Sequence, residues 1–170
     1  GGASDHLVEG GIRRMAEAGV KFVNVSPLRD DLQGPEHNEW LAVRPGSDTA
    51  LMMALCWVLV EEGLHDEGFL QRYTVGHARF IDYLQGRVDG IAKTPEWVAA
   101  LTDIPAARIT TLARAMASKR TMINVAYSLQ RSVHGEQPFW MTVTLAAMLG
   151  QIGLPGGGFG LGYGCMNNTG

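Results

Sequence analysis

The chain has 170 residues, 46% of them hydrophobic, and its 14 basic and 17 acidic side chains give a net charge of −3. This length suits one domain with its own core, and the composition excludes disordered and fibrous proteins. The charge shows no basic cluster for nucleic acid or a membrane surface, and the longest apolar run, residues 51–60, is shorter than the roughly 20 residues of a membrane span.

The first third of the chain predicts a helix, two strands and a second helix. Ser4 and Asp5 are suited to cap the first helix, which we expect to end near Gly19. Short apolar runs at 21–26 and 40–43 predict strands on either side of the polar, turn-rich residues 28–39. A helix follows over 49–62, with Asp48 as its expected cap, and it is apolar on nearly all sides, which indicates burial.

The remainder of the chain predicts short helices, a third strand and a final helix. Helices are expected at 66–73, at 77–84, from Pro95 onward, at 105–118 and at 138–151, with the strand at 121–126. Residues 153–170 are rich in glycine and are interpreted as a connection to further structure. Strands that alternate with helices predict the α/β class: a three-layer domain with a mostly parallel sheet flanked by helices.

Open parallel sheets bind ligands beyond the carboxyl ends of their strands, which directs attention to three loops. These loops are Ser26–Pro27, Arg44–Asp48 and Tyr127–Arg131. Asp48 has two readings, a helix cap or a carboxylate that accepts hydrogen bonds from guanine, and one oxygen is available for each. Gly46 and Ser47 either form an ordinary turn or bring backbone and hydroxyl groups close to a ligand.

Arg131 also has two interpretations. Its guanidinium either clamps a pyrophosphate, together with polar groups such as Tyr127 and Ser128, or forms a surface salt bridge. Ser26 can offer a hydroxyl and backbone groups to a sugar or pterin, or it simply ends a strand. The common motifs of nucleotide triphosphatases, zinc proteases, serine hydrolases and dinucleotide-binding dehydrogenases are missing from the sequence.

Several stretches resemble one enzyme family in order along the whole chain. They are SPLR (26–29), WLAVRPGSDTAL (40–51), HDEGFL (65–70), DGIAKTPEW (89–97), QR with GEQP (130–138) and TLAAMLGQIGLPGGGFG (144–160). These strings are similar to those of the dimethyl sulfoxide reductase family of molybdopterin oxidoreductases, within it to the dimethyl sulfoxide, trimethylamine N-oxide and biotin sulfoxide reductases.

The resemblance implies a Rossmann-like interior domain of a longer enzyme, spanning residues 1–170, with 153–170 leading to the rest. It implies a bis(molybdopterin guanine dinucleotide) molybdenum cofactor, one of whose guanine dinucleotides this domain contacts. The matching cofactor-contacting positions are Val25, Ser26, Gly46, Ser47, Asp48, Tyr127, Ser128 and Arg131, with Asp48 as the guanine reader. No catalytic residue or molybdenum ligand is expected within this chain, so the isolated piece should be inactive.

The resemblance also sets expectations for the whole enzyme. It implies reduction of an S-oxide or an N-oxide by oxygen-atom transfer, with electrons from a c-type cytochrome or a reductase. It implies the bacterial periplasm, with the cytoplasm as the alternative, and the remaining domains of the same enzyme as partners. The rival interpretation is a noncatalytic α/β interaction module whose strand-end loops bind no nucleotide.

Overall fold

A computed structural model describes residues 5–32 and 39–161, and for residues 5–9 it describes the backbone alone. The predicted cap Ser4, part of the polar loop and the glycine-rich segment beyond residue 161 lie outside the described residues. The described elements, in chain order, are α1 Asp5–Glu17, β1 Val23–Val25, β2 Glu39–Leu41, α2 Asp48–Glu61, α3 Glu67–Tyr73, α4 His77–Leu84, α5 Pro95–Thr102, α6 Ala106–Ser118, β3 Met122–Val125, α7 Gln137–Met148 and β4 Gly158–Leu161. Short 3₁₀ turns occur at Arg29–Asp31 and Tyr127–Arg131.

Helix α2 lies at the centre of the core, as its uniformly apolar sequence predicts. It packs against α4, α5, α6 and α7, and Ala54, Cys56 and Leu59 on it are completely buried. The neighbouring helices contribute Ile109, Leu145 and Met148, each with at most 1% of its surface exposed. A helix that buries every face must be surrounded, so α2 fixes the positions of the other helices around it.

Local side-chain contacts start and stop the helices around this core. The Asp66 carboxylate accepts from the Phe69 N–H at 2.8 Å and caps α3, and the Thr94 hydroxyl accepts from the Trp97 N–H at 3.2 Å and caps α5. Gly150 follows α7 with φ of +65°, and a Cβ there would collide with the Asp66 side chain. The end of α7 and the start of α3 therefore meet at a place that only glycine fits.

Lys93 is buried to 1% exposure, which is unusual for a lysine. Its ammonium lies 2.6 Å from the Asp89 carboxylate and 4.1 Å from the centre of the Tyr83 ring, and its backbone N–H donates to the Leu84 carbonyl. The carboxylate and the aromatic face compensate the buried charge, and together they fix the 86–93 loop against α4.

The strands form two separate parallel pairs, which confirms the α/β class with parallel strands. β1 pairs with β2, with Asn24 opposite Trp40, and β3 pairs with β4, with Asn124 opposite Gly160. The sequence predicts one sheet, whereas β1 and β3 are not paired with each other in the described part of the chain. β4 lies inside the segment that was interpreted as a connection.

The entry to β3 and β4 depends on one buried amide side chain. Gln151 accepts from the Thr121 N–H at 2.7 Å and donates to the Lys119 carbonyl at 2.9 Å, so the residues just before β3 are held to the end of α7. Gly158, with φ of +89°, then turns the chain into β4. The glycine-rich sequence is thus needed for a tight turn, and it also supplies a strand.

Candidate cofactor-binding site

A cleft of about 2450 Å³ separates the two strand pairs. Its walls come from β1, β3, the beginning of α2, and α1 and α6. Among the predicted site residues, the cleft is lined by Val25, Ser26, Gly46, Asp48 and Ser128, whereas Ser47, Tyr127 and Arg131 lie outside its lining. The structure therefore brings at least one residue from each of the three strand-end loops to a single cavity. This is expected because ligands bind beyond the carboxyl ends of parallel strands.

Ser26 organises the turn that follows β1. Its hydroxyl donates to the Asp31 carboxylate and accepts from the Leu28 N–H at 3.1 Å. Its backbone N–H donates to Leu41 at 3.2 Å, and its carbonyl accepts from the Trp40 indole at 2.8 Å. Because these bonds occupy the hydroxyl and the N–H, Ser26 shapes the loop, and a cofactor contact through its hydroxyl stays a prediction.

The loop after β2 is anchored outside the cleft. The Arg44 guanidinium forms a two-pronged ion pair with Asp103, at 2.6 and 3.0 Å, and its backbone N–H donates to the Thr102 carbonyl at 3.0 Å. Ser47 closes the turn by donating its hydroxyl to the Arg44 carbonyl at 2.6 Å. Gly46 has φ of +81°, a left-handed conformation that favours glycine, so this turn presents backbone to the cleft without a side chain.

Asp48 does not cap α2, and the prediction of that role is wrong. Ser47 occupies the cap position and Asp48 is the first helical residue, because the Gly46 turn starts the helix one residue early. The Ser47 side chain makes no capping hydrogen bond, since its hydroxyl is bound to the Arg44 carbonyl. The Asp48 carboxylate is therefore available to the cleft.

The electrostatic setting of Asp48 is that of a partly desolvated acid. Burial raises the pKa of Asp48 above its ordinary value of 3.8, and the residue's own backbone N–H opposes part of this shift. No basic side chain in the described residues pairs with this carboxylate. Its position at the positive end of the α2 dipole favours the ionised form and disfavours a second anion beside it.

The third loop forms the 3₁₀ turn Tyr127–Arg131 directly after β3. Ser128 lines the cleft, whereas Arg131 is exposed and does not belong to the cleft lining. The alternative reading of Arg131 as a surface salt bridge finds no acidic partner among the residues that the structure describes. The guanidinium thus remains available to an anion that extends out of the cleft, and this role stays a prediction.

Several residues of the site were not identified from the sequence. Asp31, Trp40 and Asp103 hold the loops in place through contacts that span 5, 14 and 59 residues of sequence. The contacts of Trp40 and Asp103 join residues that are far apart in sequence, and no local pattern reveals them. The cleft also has apolar walls from Ile12 and Met15 of α1 and from Leu112 and Met116 of α6, whose helical spacing predicts burial but not a cavity.

The cleft is equipped to bind and orient a ligand. No group of three or more His, Cys, Asp or Glu side chains suited to a metal ion occurs within the described residues. Strand-end loops, a left-handed glycine turn, a helix N-terminus and a carboxylate without a cationic partner converge on one cavity. This arrangement is that of an α/β domain with a ligand-sized cleft at the ends of its parallel strands.

The comparison with known families gives the particular class. Residues 5–169 match the sequence profile of the family described as molybdopterin oxidoreductase. The chain is 46% identical to a biotin sulfoxide reductase of Cereibacter sphaeroides over 170 residues, all of this chain and 23% of that protein. It is 46% identical to a trimethylamine-N-oxide reductase of Haemophilus influenzae over 151 residues, 89% of this chain and 18% of that protein. The chain belongs to the molybdopterin oxidoreductase family, which confirms the resemblance.

A third relative agrees with this assignment, and a solved structure has a similar fold. A dimethyl sulfoxide/trimethylamine N-oxide reductase of Cereibacter sphaeroides is 43% identical over 159 residues, 94% of this chain and 19% of that protein. The fold is similar to that of acetylene hydratase from Pelobacter acetylenicus, with a TM-score of 0.69 and 23% identity over 82% of this chain and 18% of that one. The chain thus spans about a fifth of the length of the proteins it matches. Family membership implies a molybdenum–molybdopterin cofactor.

Proposed function

We propose that this chain is the part of a molybdenum S-oxide or N-oxide reductase that holds one guanine dinucleotide of the cofactor. The observation that carries the proposal is the Asp48 carboxylate, which lies in the strand-end cleft beside a left-handed turn with no cationic partner in the described residues. A half-buried acid needs a donor from elsewhere, and a ligand that provides one fits this position.

Guanine is the base whose edge matches this carboxylate. Its ring N–H and exocyclic amino group form two adjacent donors, and a carboxylate offers two acceptor oxygens in one plane. Adenine presents a ring acceptor where guanine has the ring donor, so it would leave one oxygen of Asp48 unpaired. Since the carboxylate disfavours an anion at the start of α2, the phosphates are expected nearer Ser128 and Arg131.

The other predicted residues have supporting roles in this arrangement. Gly46 allows the backbone to approach the base closely, and Val25 contributes an apolar wall. Ser47 and Ser26 hold the two loops in shape through the hydrogen bonds to Arg44 and Asp31. When bound, the molybdenum cofactor supplies the oxygen-atom transfer chemistry, and the residues of this chain bind it, orient it and exclude water from one end.

The base is identified by chemical analysis of the purified full-length protein. Mild acid hydrolysis should release GMP in a fixed ratio to molybdenum, measured by chromatography and metal analysis. Release of CMP or AMP, or of no nucleotide from a molybdenum-loaded protein, would overturn the guanine assignment. If the folded full-length protein contained neither molybdenum nor nucleotide, the rival interpretation as a noncatalytic interaction module would be favoured.

The substrate class rests on the relatives, whose printed names are those of biotin sulfoxide, trimethylamine-N-oxide and dimethyl sulfoxide reductases. We infer that the full protein reduces an S-oxide or N-oxide, and that this piece alone is inactive. The test is oxidation of a reduced viologen dye by the full protein with each of the three oxides in turn. Turnover with none of them would contradict this inference.

The electron donor and the location follow from the same proposal. We expect a c-type cytochrome or a reductase as the donor and the periplasm as the compartment, with the cytoplasm as the alternative. Within the described residues, no helix is both long and apolar enough to cross a membrane. Fractionation of cells into periplasmic and cytoplasmic extracts, followed by the dye assay, distinguishes the two compartments.

A further inference from the structure

A second recess lies on the surface of α4, apart from the strand-end cleft. This recess, the α4 groove, has a volume of about 350 Å³ and is lined by Gly76, Arg79, Phe80, Tyr83 and Val88. None of these residues lines the strand-end cleft. Small-molecule pockets have volumes of about 300–1,000 Å³, so the α4 groove is at the lower limit and suits a large side chain better than a dinucleotide.

The floor of the α4 groove is held rigidly from within the protein. Phe80 packs against the hydrophobic core, and the Lys93 ammonium lies 4.1 Å from the centre of the Tyr83 ring. Lys93 is buried and does not line the groove, so it supports the ring from the inner side. Its ion pair with Asp89, at 2.6 Å, also fixes the loop that carries Val88. A preformed groove of this kind loses little conformational entropy when it binds a partner.

The rim of the α4 groove is apolar and exposed. Val88 has 55% of its surface exposed, and Val75, which directly precedes the lining residue Gly76, is fully exposed. Single exposed apolar residues are common on protein surfaces. Here they border a recess that also contains Phe80 and Tyr83, and aromatic side chains in a recess are typical of the centre of a protein–protein interface.

The charges near the groove leave Arg79 without an acidic partner. Residues 64–93 contain four acidic and four basic side chains, and each carboxylate is already engaged within this segment. Asp66 accepts from the Phe69 N–H, Glu67 from the Gln71 amide, Asp82 pairs with Arg87, and Asp89 pairs with Lys93. Arg79 is exposed and forms no ion pair with a carboxylate of the described residues. The groove therefore offers a guanidinium beside an apolar recess.

We propose that the α4 groove is a docking site for an acidic segment of a separate protein, which inserts one large apolar side chain and pairs a carboxylate with Arg79. Charge complementarity selects this occupant, because a carboxylate matches the two-pronged geometry of a guanidinium and a basic segment would be repelled. The inserted side chain would cover Val75 and Val88, which gives the hydrophobic part of the binding free energy. This docking site does not depend on the identity of the cofactor.

The first test measures whether the α4 groove is open in the full-length protein. Val75→Cys is a substitution at a fully exposed position, and its labelling by a maleimide is followed by mass spectrometry of the peptide that contains it. In the native protein the rate should lie within about a hundredfold of the rate in denaturant. Slower labelling would show that the remaining part of the same polypeptide covers the groove, and it would overturn the proposal.

The second test identifies the chemistry of the occupant by selecting short peptides from a phage-display library on the full-length protein. Enriched peptides should carry Asp or Glu beside a large apolar residue, and Arg79→Glu should weaken their binding about tenfold. Binding to Arg79→Glu should recover when the acidic residue of the peptide is changed to lysine. Arg14→Glu, at an exposed position on α1 outside the groove, is the matched control and should leave the affinity unchanged.

Three results of this selection would overturn the proposal. The first is enrichment of basic or purely apolar peptides, and the second is equal affinity of the selected peptides for the Arg79→Glu and unsubstituted proteins. The third is no enrichment over a library selected on the Val75→Asp variant, in which the added carboxylate at the rim should repel an acidic segment.

Discussion

Asp48→Asn is expected to weaken cofactor binding without weakening the fold. The substitution preserves the shape of the side chain, removes its charge and replaces one acceptor oxygen with a donor. Against the two donors of guanine it loses one hydrogen bond and sets two donors against each other. Hydrogen bonds to charged groups are worth about 1.5–3 kcal/mol, so the dissociation constant should rise by about 10- to 150-fold.

The stability of the same variant has a defined dependence on pH. Because the pKa of Asp48 is higher in the folded chain than its ordinary value of 3.8, ionisation costs stability as the pH rises through the folded-state pKa. Asparagine has no such cost. The cofactor-free Asp48→Asn protein should therefore gain stability relative to the unsubstituted protein as the pH rises from 3 to 7.

The assay measures how much molybdenum and GMP the full-length protein retains at successive times during extended dialysis. Asp82→Asn is the matched control, because Asp82 is exposed on α4, is paired with Arg87 and lies outside the cleft. Asp48→Asn should lose cofactor faster, and Asp82→Asn should behave as the unsubstituted protein. Equal retention in all three proteins would refute the guanine contact.

Three further experiments test the fold that positions the cleft. Gly150→Ala should destabilise the protein by about 2–4 kcal/mol in denaturant unfolding, since it adds strain at φ of +65° and displaces the Asp66 cap. The control Gly153→Ala, which has open space around it, should cost about 1 kcal/mol. Equal costs for the two variants would refute the collision with Asp66. Lys93→Ala should lower the free energy of unfolding by about 2–4 kcal/mol, because the buried aliphatic part of the side chain is lost, and Lys93→Met should lower it less. An unchanged unfolding midpoint for Lys93→Ala would contradict the role given to the contacts of Lys93. Burial raises the pKa of the Cys56 thiol, so iodoacetamide should alkylate Cys56 only after unfolding, and rapid labelling of the native protein would contradict its burial.

The helices were the elements most accessible from the sequence. Caps such as Thr94 and the uninterrupted apolar sequence of α2 act within a few residues, so local pattern predicts them. β4 was missed because Gly158 and Gly160 have low strand propensity, and its pairing with β3 is fixed by contacts distant in sequence.

The positions of the site loops were predictable, and the use of their polar groups was not. Val25, Gly46 and Asp48 reach one cleft because strand ends of parallel sheets gather at one edge. The hydroxyls of Ser26 and Ser47 are bound to Asp31 and to the Arg44 carbonyl, and such pairings depend on loop conformations that a one-dimensional pattern does not specify. The cap of α2 was misplaced by one residue for the same reason.

The most direct test of the account is hydrogen exchange of the full-length, cofactor-free protein with GDP and, separately, with ADP. The account predicts that GDP slows exchange of the backbone amides at Gly46 to Asp48 and around Ser128, and that ADP at the same concentration does not. The assignment of the cleft to a guanine dinucleotide would be contradicted if GDP and ADP protected these loops equally. It would also be contradicted if GDP protected only loops outside this chain.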